Sequence, residues 1–255
     1  MTLSVLEIVA LVAVVGLAGF GDAIAGGGGL ISLPAYFAVG LPPHVALATN
    51  KFSSCCGTLV AVVRFWRAGK VHLPTGLSAT AGALAGSACG TRVALLLSPE
   101  AVHTVLLVLV PCVAVVFLAR AKLFPERAAG DVEVRHALAK AALVGLTVGF
   151  YDGFFGPGTG TFLGIAFHFA LRMDLVSASG NARLTNLASN AGSLTVFLLN
   201  GRVLFPLALM TAAGGIAGNL LGSQLAVRKG DRVIRPLMVV MLVLLLGYIV
   251  KQRMG

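Results

Sequence analysis

Charge is what this sequence has least of. Only 11 % of its 255 residues are Asp, Glu, Lys or Arg, whereas a water-soluble domain carries about a quarter. So few charges cannot cover a soluble surface. Long polar stretches are missing too: the longest, RAKLFPERAAGDVEVRH at 120–136, has 17 residues, too few for a soluble domain of useful size. Cysteine is sparse. Cys55, Cys56, Cys89 and Cys112 stand in apolar segments without CxxC spacing, so they read as small buried hydrophobes, not as a metal or redox centre. No HExxH or GxSxG motif occurs, and His44, His72, His103, His136 and His168 are scattered near expected helix ends. No catalytic residue, metal or cofactor is therefore expected, and an intramembrane enzyme is the weakest reading.

Apolar residues take the place of charge. They make up 58 % of the chain, and the mean hydropathy is +0.96. Apolar stretches of 18 or more residues recur from Thr2 to Val250, and one helical span of a bilayer needs about 20. The chain reads as an all-α polytopic membrane protein, with the lipid bilayer as its surroundings. Its first run, LSVLEIVALVAVVGLAGF, has no basic leader, carries Glu7 and leads into Asp22, which does not fit a signal peptide. The net charge of +10 is what Lys and Arg in cytoplasmic loops produce, so no nucleic-acid partner is expected.

The chain also resembles itself. GFGDAIAGGGGL at 19–30 aligns with GFYDGFFGPGTG at 149–160, placing Asp22 on Asp152 and Gly26 on Gly156 at an offset of 130. Further along the offset is 132: Lys51 meets Arg183, Pro74 meets Pro206, and Gly82, Gly86 and Gly90 meet Gly214, Gly218 and Gly222. Two homologous repeats are expected, 1–121 and 134–255, joined by a cytoplasmic linker at 122–133. Each reads as a Gly-broken helix plus three transmembrane helices, about 8 membrane segments in all. In the first repeat the helices fall at 3–25, 30–40, 44–66, 73–97 and 100–121. In the second they fall at 134–156, 159–170, 174–199, 203–227 and 236–250. The Gly-xxx-Gly series reads as a surface for close helix packing.

Internal repeats with interrupted helices at matching positions are the sequence mark of a secondary transporter. If the broken segments are re-entrant, the repeats are inverted, and 13 Lys and Arg fall inside against 4 outside. If they cross fully, the repeats are parallel and the count is 11 to 6. The positive-inside rule favours the inverted arrangement.

A glycine-rich break inside a bilayer leaves backbone N–H and C=O groups that only protein or a watery cavity can satisfy. The short helices after each break direct free N–H groups into that space, where an anion is stabilised. Candidate substrate-binding residues in the first repeat are Gly26, Gly27, Gly28, Gly29, Thr49, Asn50 and Lys51. In the second they are Gly156, Pro157, Gly158, Thr159, Gly160, Asn181, Arg183, Asn186 and Asn190. Lys51 and Arg183 either contact the anion or pair with Asp22 and Asp152 respectively. Asn186 and Asn190 either face the anion or bond between helices. Asp22 and Asp152 either order the site by capping the breaks or carry protons. Adding a side chain at Gly27 or Gly28 is expected to block the anion while leaving the fold intact.

GFGDAIAGGGGLISLPAYFAVGLPPHVALATNK, with FWRAGKVH behind it and GFYDGFFGPGTGTF and NARLTNLASN in the second half, resembles the TauE/SafE sulfite exporter family. The resemblance covers nearly the whole chain and extends to Asp22, Pro34, Thr49, Asn50, Lys51, Asp152, Gly156, Pro157, Arg183 and Asn190. It implies a multi-pass protein of the bacterial inner membrane that moves a small anion, a sulfur oxyanion or an organosulfonate of the sulfite, thiosulfate or sulfonate type. Family members often carry Lys where this chain has Arg183. An anion channel is the alternative, and a homodimer is a candidate assembly.

Overall fold

The computed structural model describes residues 3–98, 101, 134–237 and 240. Among these are eight helices: α1 (Val5–Ala25), α2 (Gly29–Ala38), α3 (Pro43–Arg67), α4 (Leu73–Leu96), α5 (Val134–Phe154), α6 (Thr159–Ala170), α7 (Leu175–Leu199) and α8 (Phe205–Lys229). No strand occurs among the described residues. The expected linker at 122–133 and most of the helices expected at 100–121 and 236–250 lie outside them.

Local chemistry sets the helix starts. Ser4 and Glu7 form a reciprocal capping box on α1, which satisfies two of the free N-terminal donors. Asp174 caps α7 by accepting from the Ser177 N–H at 2.9 Å. Proline occupies the first turn of α3, α4 and α8, where its missing N–H costs nothing. Four of these helices, α1, α3, α5 and α8, are long and apolar enough to cross a membrane. Large apolar side chains such as Leu6, Leu17, Leu209 and Leu221 face outward on them. The chain is a multi-pass membrane protein.

Glycine registers give the helix directions. A Cβ on Gly214, Gly218 or Gly222 of α8 would run into the backbone of Val12, Gly16 or Phe20 of α1. The numbers rise together, so α1 and α8 run parallel at very close approach. On α4, Gly82, Gly86 and Gly90 meet Ala142, Leu146 and Phe150 of α5 in the same way. The small residues are packing surfaces, since any Cβ there would separate the helices. α3 runs alongside α8, with Phe52 against Phe205 and Arg64 against Gln224. α7 runs against α3, since Lys51 meets Asn190 while Phe65 and Lys70 meet Gly180. Thus α1, α3 and α8 point one way, and α4, α5 and α7 the other.

Both short helices fold back along the helix that precedes them. Tyr36 and Leu41, at and beyond the end of α2, pack with Leu11 and Val15 of α1. Likewise Leu163, Phe167 and Leu171 pack with Ala137 and Ala141 near the start of α5. The directions gather positive charge at one end of the bundle, where α3 and α8 finish with Arg64, Arg67, Arg228 and Lys229. Arg202, before α8, lies at the opposite end.

Candidate functional site

α1 stops because Gly26 and Gly27 adopt φ of +85° and +86°, a region that residues with a Cβ rarely enter. Asp22 takes up two of the donors at the break. Its main-chain oxygen accepts from the Gly26 N–H at 2.8 Å, and its Oδ1 accepts from the Gly28 N–H at 3.0 Å. The second break turns at Gly158, with φ of +84°. There the Thr159 hydroxyl donates to Asp152 Oδ1 at 2.8 Å. The two breaks touch. A Cβ on Gly26 would strike the backbone of Gly160 and Thr161, and the Thr161 hydroxyl donates to the Ala25 carbonyl at 2.9 Å.

Both cations are buried and paired, and the pairing crosses the two halves of the sequence. Lys51 Nζ lies 2.6 Å from Asp152 Oδ2 and also donates to Asn190 Oδ1 at 2.9 Å. Arg183 Nη1 lies 2.8 Å from Asp22 Oδ2. The expected pairs within each half, Lys51 with Asp22 and Arg183 with Asp152, are therefore corrected. Because α3 and α7 run antiparallel, each cation arrives beside the other half's break. Asp152 is the better satisfied acid, accepting also from the Ser189 hydroxyl at 2.6 Å. Buried charges need such matching, since taking an unpaired ion out of water costs several kcal/mol, about 3–5 when one partner is lost.

Beside these pairs lies a cavity in which about 50 Å³ is open to the centre of a water-sized group, room for a few waters or one small ligand. Of the expected residues, Gly27, Gly28, Gly29, Asn50, Lys51, Gly156, Thr159, Gly160, Asn186 and Asn190 line it, together with Asp22 and Asp152. Gly26, Thr49, Pro157, Gly158, Asn181 and Arg183 do not. Thr49 accepts from the Leu204 N–H, Asn181 donates to the Ser177 carbonyl, and Pro157 accepts from the Tyr151 hydroxyl. Arg183 sits behind the lining, its guanidinium against Gly160. Only 1 % of it is exposed, so it supports Asp22 and leaves Lys51 as the cation facing the cavity.

Sequence reasoning missed Ser32, Ser53, Ser54, Thr58 and Asn219, which also line the cavity. The Ser32 hydroxyl donates to Asn50 Oδ1 at 2.8 Å and helps hold that amide. A signal for two of them was present: the offset of 132 that pairs Lys51 with Arg183 carries Asn186 and Asn190 onto Ser54 and Thr58. Position 28 also behaves differently from expectation. A Cβ there would lie 2.7 Å from Asp22 Cβ and 2.9 Å from the Ala18 carbonyl oxygen. Substituting Gly28 therefore disturbs the fold as well as the cavity.

The description "Sulfite exporter TauE/SafE" matches residues 11–249. The chain belongs to this family. Among its relatives, the probable membrane transporter protein YfcA of Escherichia coli is 38 % identical over 225 residues, 88 % of this chain and 82 % of that one. A probable membrane transporter protein of Haemophilus influenzae is 36 % identical over 240 residues, 92 % of each chain. The probable membrane transporter protein ORF9 of a Sinorhizobium species is 34 % identical over 228 residues, 88 % of this chain and 85 % of its own. No solved structure matches. The match places this chain among the TauE/SafE membrane transporters and spans both glycine breaks, Lys51 and Arg183.

Proposed function

We propose that this protein is a secondary transporter of a small anion, a sulfur oxyanion or organosulfonate, across the bacterial inner membrane. The observation that carries the proposal is convergence: two glycine breaks from separate parts of the chain meet beside one cavity lined by Lys51, Asn50, Asn186 and Asn190. Backbone N–H groups without a covering Cβ, amide donors and one ammonium form a donor set suited to an oxyanion. The family name, Sulfite exporter TauE/SafE, points to the same substrate class.

The architecture proposed to serve this is two inverted repeats, 1–121 and 134–255. Corresponding helices run in opposite directions, α1 against α5, α3 against α7 and α4 against α8, and both short helices fold back. With Arg64, Arg67, Arg228 and Lys229 at one end, the positive-inside rule puts that end in the cytoplasm. Asp22 and Asp152 serve to order the site: each satisfies a donor at a break and holds a cation from the other half. Lys51 then exchanges part of its contact with Asp152 for the substrate. The small volume of the cavity favours a carrier over an open channel.

Thermal unfolding of the full-length protein in detergent against sulfite, thiosulfate, a two-carbon sulfonate, sulfate and chloride tests this. A specific ligand at 100 times its Kd stabilises by about 2.7 kcal/mol. The effective anion should then drive saturable counterflow in proteoliposomes. Equal melting in all five, or flux without trans-stimulation, would count against a carrier for this class.

A further inference from the structure

A groove on the outer face of the bundle, between α3 and α8, has no part in the cavity described above. Its volume is about 640 Å³, and its lining changes character along the helix axis. Leu59, Val63 and Leu220 form an apolar floor, and Arg64, Arg67 and Arg228 stand at the basic end. Along α3 the distance from Leu59 to Arg67 is about 12 Å at 1.5 Å per residue. The ends of α3 and α8 are neighbours because the helices are parallel, so three guanidinium groups gather at one level.

Among the described residues no carboxylate stands within ion-pair distance of these arginines. Among the described residues Arg64 makes two long hydrogen bonds, 3.4 Å from Nη1 and from Nη2 to Gln224 Oε1. Arg67 and Arg228 are exposed. Three like charges converge with no carboxylate among the described residues to offset them, at the mouth of a slot with an apolar floor. A soluble anion would use the arginines and leave the floor empty. A neutral lipid would use the floor and leave the arginines unmatched. A molecule with a phosphate head and an acyl tail uses both, and basic pockets between helices suit acidic lipid headgroups.

We propose that this groove binds an anionic phospholipid of the leaflet on the basic side, with its phosphate held by Arg64, Arg67 and Arg228 and an acyl chain along Leu59, Val63 and Leu220. The site is independent of the transported anion. The full-length protein, purified in a neutral detergent, would be titrated with phosphatidylglycerol and with phosphatidylcholine of the same acyl chains, counting bound lipids by native mass spectrometry. Phosphatidylglycerol is expected to bind at least tenfold more tightly. Arg67→Gln and Arg228→Gln, both at exposed positions that leave the fold intact, should each weaken it about fivefold and leave phosphatidylcholine unchanged. Equal affinity for the two lipids would overturn the proposal. So would displacement of phosphatidylglycerol by millimolar inorganic phosphate, which would mark a free-anion site. A protein dimer that dissociates in Arg67→Gln would also overturn it, since a second copy would then occupy the groove.

Discussion

Replacing Lys51 by methionine leaves the Asp152 carboxylate buried without its cation. The pair is 2.6 Å apart, with side chains 5 % and 3 % exposed, so the only water that reaches Asp152 is what the small cavity beside it holds. Losing one member of such a pair costs about 3–5 kcal/mol. Asp152 keeps the Ser189 and Thr159 hydroxyls at 2.6 and 2.8 Å, which places the expected loss near the lower limit. About 3 kcal/mol corresponds to a fall of about 6–12 °C in melting temperature for a chain of this size. Adding Asp152→Asn removes the stranded charge; the carboxamide oxygen accepts from one hydroxyl, and the NH2 can donate to the other, whose proton turns to the backbone carbonyl already within reach. The double variant should regain most of the loss, giving a coupling of about 2–3 kcal/mol. Asp22→Asn should not rescue Lys51→Met, because Asp22 is matched by Arg183; that coupling should stay within about 0.5 kcal/mol. The corresponding rescue of Arg183→Met should come from Asp22→Asn. Fluorescence-monitored melting in detergent reads all of these, and counterflow in proteoliposomes reads transport. Transport should stay absent in Lys51→Met/Asp152→Asn, whose fold is restored but whose cavity has lost its ammonium. If Asp22→Asn rescues Lys51→Met as well as Asp152→Asn does, the pairing across halves is wrong. If the Asp152 double variant transports at the wild-type rate, Lys51 serves only to neutralise an acid.

Gly26→Ala should abolish folded protein, since φ is +85° and the new Cβ meets backbone at Gly160, whereas Gly29→Ala meets Pro157 at an ordinary 3.4 Å; the latter should fold normally and weaken anion stabilisation several-fold, as melting with the effective anion reports. Single cysteines at 70 and 232, on a background lacking the four native ones, should both resist impermeant thiol reagents in intact cells; labelling of 232 with 70 protected would refute the inverted arrangement. Thr58→Val should be neutral or slightly stabilising, because Thr58 Oγ1 is buried without a hydrogen-bond partner, while Ser189→Ala should cost about 1.5–3 kcal/mol through its bond to a charged acceptor; comparable losses in the two would contradict this assignment of donors. Asp174→Ala should cost about 1 kcal/mol by uncapping α7. Burial works to raise the Asp174 carboxyl, but the Ser177 bonds and Lys70 outweigh it and hold it below its ordinary 3.8. Its contribution is therefore complete above that value and disappears as pH falls through the folded one, so melting curves of wild type and variant should converge in acid.

Much of the architecture could be read without coordinates, because bilayer constraints act on local composition. An apolar run of sufficient length must be helical, and α1, α3, α6 and α7 fall within a residue or two of the expected ranges. The breaks were legible because four successive glycines cannot continue a helix cheaply. The spacing of Gly82, Gly86 and Gly90 anticipated close packing, yet could not name the neighbour. That neighbour is α5, from the other half of the chain.

Partners at long range were left to the tertiary structure. Asp22 has a cation about thirty residues ahead of it in sequence, and so does Asp152, so local order suggests pairing within each half. Antiparallel placement of α3 and α7 exchanges the two, and the electrostatic demand for a counter-charge is met equally well either way. The self-alignment of the sequence likewise sets Lys51 and Arg183 at matching positions. Only packing decided that Lys51 faces the cavity while Arg183 is held against Gly160 behind it. A repeat states which residues correspond, whereas the side of each helix that meets open space depends on every neighbour it touches.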